Sequence, residues 1–220
     1  MIVILIQLNL GLIQDIPIID TFIRSKKNTK NSAMKIKSIL LSSLLLSGVF
    51  SASSQDLYFT KTAKLNFDCT PANPVEKIDA VNNEATSFLN KASGELVFAV
   101  LVKSFRFEKA LMEEHFNENY MESGKFPKAD FKGKISNLSD VNFAKDGDYP
   151  VKATGNFTLH GITKPINVDG TISIKGGKIH AKSKFSVKLE DYKIDRPKVV
   201  ADKIAEKATI TIDAAYEPKK

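Results

Sequence analysis

The chain has 220 residues, of which 43% are hydrophobic and 26% charged, with a formal net charge of +7. That balance fits a globular protein with a buried core and excludes disordered and fibrous classes. The only cysteine, Cys69, excludes an internal disulfide, a CxxC redox pair and a Cys-rich zinc site, and reads as a small buried side chain at a strand end.

Much of the apolar content lies near the N-terminus. From Met34 the chain reads Met34-Lys35-Ile36-Lys37, then an apolar run from Ile39 to Phe50, then Ser51-Ala52-Ser53-Ser54. A basic start, a short apolar run and a small-residue exit are what a secretory signal peptide requires. A span across the hydrocarbon needs about 20 apolar residues, and this run is shorter. We assign residues 34–54 to the signal, with cleavage after Ser54, and residues 1–33 to an upstream extension ahead of the initiator Met34. A double membrane anchor is the weaker alternative. Residues 1–54 carry six Lys or Arg and two Asp or Glu, which leaves 26 basic and 23 acidic groups, net +3, on residues 55–220. The whole-chain charge therefore overstates any attraction to polyanions.

Beyond residue 55 the chain alternates with a period of two, the signature of strands with one buried and one wet face. Residues 57–67 alternate through Phe59, Ala63, Leu65 and Phe67. Short strands are expected at 78–82 and 85–90. Residues 96–102 are apolar on both faces, and Phe105 and Phe107 fall out of step with Phe98, Val100 and Val102, which a bulge near Lys103 reconciles. From Glu108 to Glu122 the period changes to three and four, through Leu111, Met112, His115, Phe116 and Asn119. This predicts one amphipathic helix, ended by Gly124 and Pro127, that caps a barrel end with Leu111, Met112 and Phe116.

Phe131, Gly133 and Ile135 form the next strand, and Val151, Ala153, Gly155, Phe157 and Leu159 another, broken at His160-Gly161. Ile166, Val168, Gly170, Ile172 and Ile174 share a face. Lys175-Gly176-Gly177-Lys178 then turns the chain into Ile179, Ala181, Ser183, Phe185, Val187 and Leu189. The lysines between these residues are a solvated outer face. No aromatic side chains alternate with them to stack on bases, so no nucleic-acid partner is expected. Ala208, Ile210, Ile212, Ala214 and Tyr216 close the series. Roughly eight strands without intervening helices give an all-β antiparallel barrel or sandwich with one short capping helix.

Two stretches carry a resemblance. Gly155-Asn156-Phe157-Thr158-Leu159-His160-Gly161-Ile162-Thr163-Lys164-Pro165-Ile166 resembles a strand-turn-strand motif of the YceI-like family. His115-Phe116 followed by Phe126-Pro127-Lys128-Ala129-Asp130-Phe131 is similar to a second stretch of that family. The resemblance covers about residues 57–216. It implies an eight-stranded antiparallel lipocalin-like barrel over residues 55–220, exported to the periplasm, that binds a polyisoprenoid or similar fatty amphiphile and forms a homodimer in some members. At the helix, Lys109-Ala110-Leu111-Met112-Glu113-Glu114-His115-Phe116 departs from the commoner family run, which bears on the ligand more than on the fold.

An eight-stranded barrel is just wide enough to be filled by its own side chains or to hold one small ligand. Pattern alone leaves a packed core and a ligand tunnel open; the resemblance favours the tunnel. The lipid-facing positions are then Phe98, Val100, Phe131 and Ile135, with Leu111, Met112 and Phe116 on the helix. The second half adds Gly155, Phe157, Leu159, Val168 and Ile172, then Ala181, Phe185, Val187, Ile210 and Ile212. Ala153, Gly155, Gly170, Ala181, Ser183, Ala208 and Ala214 are small inward residues that leave room.

Catalytic chemistry finds little support. Glu113, Glu114, His115 and Glu118 diverge around one helical turn and lack a second element to complete a metal site; His115 is expected as a helix-to-barrel contact. His160 is placed at a turn and His180 on a wet strand face, with no Gly-x-Ser-x-Gly elbow or phosphate loop nearby. No cofactor is expected. The loop Asp191 to Pro197 could rim the barrel mouth, with Arg196 or Lys193 meeting a phosphate headgroup, or could be an ordinary solvated loop. A hydrolase or isomerase at the mouth, or a structural protein using the outer face, are the competing classes.

Overall fold

The structure, a computed structural model, describes residues 56–219. The expected upstream extension and signal peptide lie outside the described residues.

Nine strands follow in chain order: β1 Leu57–Asp68, β2 Asp79–Asn90, β3 Glu95–Leu101, β4 Arg106–Phe107, β5 Lys128–Ile135, β6 Gly147–Leu159, β7 Ile162–Lys175, β8 Lys178–Lys188 and β9 Lys207–Pro218. All pairings are antiparallel. The order β1-β9-β8-β7-β6-β5-β3-β2, with β2 pairing back to β1, closes eight long strands into a barrel. Closure leaves the alternate apolar residues of every strand no face but the interior, which is why the period of two reads so clearly. The two-residue β4 adds to the rim of β2.

The two barrel ends differ. One end has the shorter connections, residues 91–94, 136–146 and the Gly176-Gly177 hairpin, where both residues have positive φ (57° and 74°) as the two-residue turn demands. The other end carries residues 69–78, 102–127 and 189–206, together with the His160-Gly161 turn. These loops surround the entrance to the interior.

Local expectations need three corrections. The two short strands expected at 78–82 and 85–90 are one continuous strand, β2, which begins at Asp79, with polar Asn83 and Glu84 exposed on its wet side. The change of step near Lys103 is a 3-10 turn, Val102–Ser104, after which β4 starts afresh. The helix is shorter than the 108–122 pattern. An α-helix, α1, spans Ala110–His115, and Phe116–Tyr120 continues as a wider π turn. Its cause is local: the Asn117 side-chain amide donates to the Glu113 carbonyl at 2.9 Å, and the Met121 N–H reaches five residues back to the Phe116 carbonyl at 2.9 Å.

Candidate functional site

The inward faces do not meet. They enclose a cavity of about 740 Å³ that runs from Tyr216 at the tight end to the α1 segment at the loop end, a size typical of sites that bury most of a small ligand. Every position assigned to the lipid from sequence lines it, Gly155 excepted. Ala153, Gly170, Ala181, Ser183 and Ala208 line it as well, while Gly155 and Ala214 do not. A Cβ at Gly155 would meet the Lys132 carbonyl at 2.4 Å and the Phe131 ring at 2.8 Å. The absent side chain therefore admits the β5 backbone and an aromatic ring rather than ligand space.

Sequence pattern missed part of the wall. Leu65, Phe67, Ala85 and Leu89 also line the cavity; the alternation of β1 and β2 carried that signal, but the bulges between Thr60 and Leu65 interrupt it. Ile194, Val199 and Ile204 line it from the 189–206 loop, where no periodic pattern exists to reveal them.

The floor is polar at one point. Ser87 donates to the Val97 carbonyl at 2.8 Å, so the Tyr216 hydroxyl, 2.6 Å away, donates to Ser87. Burial pushes the Tyr216 phenol well above its usual value, with the Ser87 bond opposing. The remaining lining is almost wholly apolar.

At the loop end, Phe116 packs against Phe67, Phe105 and Phe107 with ring centroids 5.0 to 5.8 Å apart. This aromatic cluster, not the whole helix, plugs one side of the entrance. Met112 is half-buried, whereas Leu111 is 62% exposed and stands at the rim, as does Val199, 83% exposed. His115 is exposed and pairs with Asn119 at 2.8 Å, so it is a rim residue rather than a packed contact between helix and barrel.

His160 is buried, which its turn position did not reveal. Its Nδ1 lies 3.0 Å from the Tyr192 carbonyl and its Nε2 3.0 Å from a Glu122 carboxylate oxygen, and the Phe126 ring packs on it edgewise with centroids 4.5 Å apart. His160, Glu122 and Lys193, the neighbour of Tyr192, all have positive φ. One imidazole thus joins three loop-end segments at residues whose backbone is under constraint. His180 contacts Asp213 on the outer face, where Lys182 is 3.5 Å from the same carboxylate. Burial alone would raise the Asp213 carboxyl, but its bonds to His180 and Lys182 and their charges outweigh that and hold it below its usual value.

Arg196 is committed to its own loop. It donates to the Ala201 and Ile204 carbonyls at 2.9 Å each and reaches Glu206 at 3.2 Å, so it is not held out toward a headgroup. Cys69 is buried and lines the cavity. Burial, with help from the Asp68 charge, pushes its thiol up to about 11. Among the described residues no three His, Cys, Asp or Glu side chains gather as a metal site, and no helix is long and apolar enough to cross a membrane.

A closed eight-stranded antiparallel barrel, with one short helix over its open end and an apolar bore, is the lipocalin-like class of fold. The family model of the YceI-like domain matches residues 62–216, and the chain belongs to that family. Among solved structures it is similar to a polyisoprenoid binding domain from Saccharophagus degradans, with 14% identity and a TM-score of 0.65 over 75% of this chain and 99% of that one. It is also similar to BcnA from Burkholderia cenocepacia, with 13% identity and a TM-score of 0.57 over 70% of this chain and 96% of that one. At such identities the likeness concerns the fold. No curated protein matches.

Proposed function

We propose that this chain is an exported lipid-binding protein that holds a polyisoprenoid or similar long apolar amphiphile along its barrel axis, without catalysing a reaction on it. The observation that carries this reading is the cavity itself: about 740 Å³ bounded by Leu, Ile, Val and Phe side chains in a barrel that could have been filled by its own residues. Apolar surface gains about 25 cal/mol per Å² on leaving water, so a hydrocarbon chain in this bore is held without specific polar contacts. Such binding favours tail length over headgroup identity. The polyisoprenoid named for the Saccharophagus degradans domain agrees with this chemistry.

Binding fits the bore better than catalysis does. The polar pair at its floor, Tyr216 and Ser87, is internally satisfied, Ser183 donates to the Asp169 carbonyl, and the histidines are engaged with Asn119, with Glu122 and the Tyr192 carbonyl, or with Asp213. The segment from Met34 to Ser54 supports export to the periplasm, with the mature chain beginning at Gln55.

The test is a titration with cis-parinaric acid, whose fluorescence rises in a dry site. Saturation at one probe per chain, lost in Ala181→Leu, supports the reading. No saturable rise, or an unchanged one in Ala181→Leu, contradicts it.

A further inference from the structure

The barrel wall is split on one side. β7 pairs with β6 along nearly its whole length, from Ile162 to Ile174, and β8 pairs with β9 from Ile179 to Lys188. Between themselves β7 and β8 pair only from Lys175↔Lys178 to Gly170↔Ser183. Among the described residues, nothing pairs with residues 162–169 of β7 or 184–188 of β8 across that gap. The split lies in the loop-end half of the barrel, and Ile166, Val168, Phe185 and Val187 line the cavity immediately behind it.

Sequence fixes where the split begins. At the last rung, a Cβ on Gly170 would meet the Lys182 carbonyl at 2.8 Å, so that close approach needs glycine. One residue further, Ser183 donates its hydroxyl to the Asp169 carbonyl at 2.7 Å, and a side chain takes over where a rung would continue. The two edges carry the devices of exposed strand edges: Pro165, which has no N–H, on β7, and outward Lys184 and Lys188 on β8. The far end of the gap is tied again. Lys164 reaches Asp191 at 2.5 Å and lies over the Tyr192 ring at 5.9 Å, while His160 holds the Tyr192 carbonyl. The opening is therefore a framed window. Phe185 stands behind it, edge-on to Phe157 with centroids 5.9 Å apart.

We infer that the window between β7 and β8 is the lateral portal through which a lipid chain enters and leaves the bore. This rests on the lipid-binding reading and adds a route to it. Unpaired backbone groups on facing edges are satisfied by water, so the edges separate without breaking a ladder. At the open end, by contrast, the Phe67, Phe105, Phe107 and Phe116 cluster narrows the entrance. A chain sliding in sideways meets Ile166, Val168 and Phe185 first, and its polar head stays outside among the lysines.

The window is closed chemically by Asn167→Cys with Ser186→Cys in a Cys69→Ala background. Continuing the β7–β8 register places these exposed residues opposite each other, and a disulfide requires their Cα atoms to come within about 7 Å. Where oxidation is incomplete, a short bis-maleimide across the same cysteines serves. The readout is the rate at which cis-parinaric acid leaves phosphatidylcholine vesicles for the protein. The bridged form is expected to take up probe roughly tenfold more slowly than the reduced form, with the same final occupancy, and reduction of the disulfide restores the rate. Lys164→Ala, which releases the tie at the far end, is expected to quicken uptake. Equal rates in bridged and reduced protein overturn the portal while leaving the lipid reading intact. A wild-type protein that takes up no probe overturns the lipid reading itself.

Discussion

Gly133 and Gly155 face each other across the β5–β6 ladder, and a Cβ on either would run into the Phe131 ring, at 2.5 Å from Gly133 and 2.8 Å from Gly155. The ring takes the volume that two side chains would need. Gly155→Ala should therefore destabilise the barrel by about 1 to 3 kcal/mol as an overpacking change, seen as a lower midpoint in urea. Phe131→Leu should not rescue it, because the Lys132 carbonyl at 2.4 Å is backbone. Full rescue would show that the ring alone requires glycine there.

Ala181 is the contrasting case. It lines the cavity and faces open volume, so Ala181→Leu should cost less than about 1 kcal/mol because it fills space rather than forcing atoms together. A loss as large as that of Gly155→Ala, measured under the same conditions, would mean that the bore closes up in solution.

Tyr216→Phe removes the donor to Ser87 and should cost about 1 kcal/mol; Ser87→Ala strands the buried phenol and should cost about 1 to 3 kcal/mol. That ordering, read from chemical denaturation, follows from Ser87 retaining the Val97 carbonyl in the first variant and Tyr216 losing its acceptor in the second. The reverse ordering would contradict the direction of the bond.

Cys69 and Tyr216 both release their protons at higher pH in the folded chain than in an exposed setting, because burial disfavours the charged form. The unfolded chain then holds fewer protons than the folded one at alkaline pH, and stability falls as pH rises. For Cys69 the loss runs from the ordinary thiol value near 9 to about 11. Thermal melts between those values should show a shallower decline in Cys69→Ala than in the wild type. Parallel slopes would exclude Cys69 as a contributor.

His160→Ala should lower the melting temperature by several degrees through loss of two bonds worth about 1 kcal/mol each, while His115→Ala, exposed at the rim, should leave it unchanged. Equal effects would refute the role of His160 as a tie among loops.

The legible part of this fold was the part governed by alternation. β6 to β9 read directly because each places apolar residues on the interior at every second position, and the Gly176-Gly177 turn fixes one register. β1 and β2 were harder, since bulges after Thr60 shift the phase and Asn82 and Ser87 put polar groups inside, where the Leu101 carbonyl, the Val97 carbonyl and Tyr216 satisfy them. Apolar spacing overstates the helix because it continues through the π turn, where the Asn117 side chain takes the Glu113 carbonyl. The partners of His160 come from residues 38 and 32 positions away, Glu122 and Tyr192, which no local pattern encodes. The β7–β8 split is a relation between strands, and each strand alone looks regular.

A bore that holds a lipid should carry one out of the cell. Native mass spectrometry of the protein purified from bacterial cells, without detergent, measures this directly. The expected mass exceeds that of the polypeptide by one discrete adduct, released into organic solvent as an isoprenoid or fatty amphiphile. A bare polypeptide mass that stays bare after incubation with polyisoprenoid and fatty-acid vesicles would contradict it.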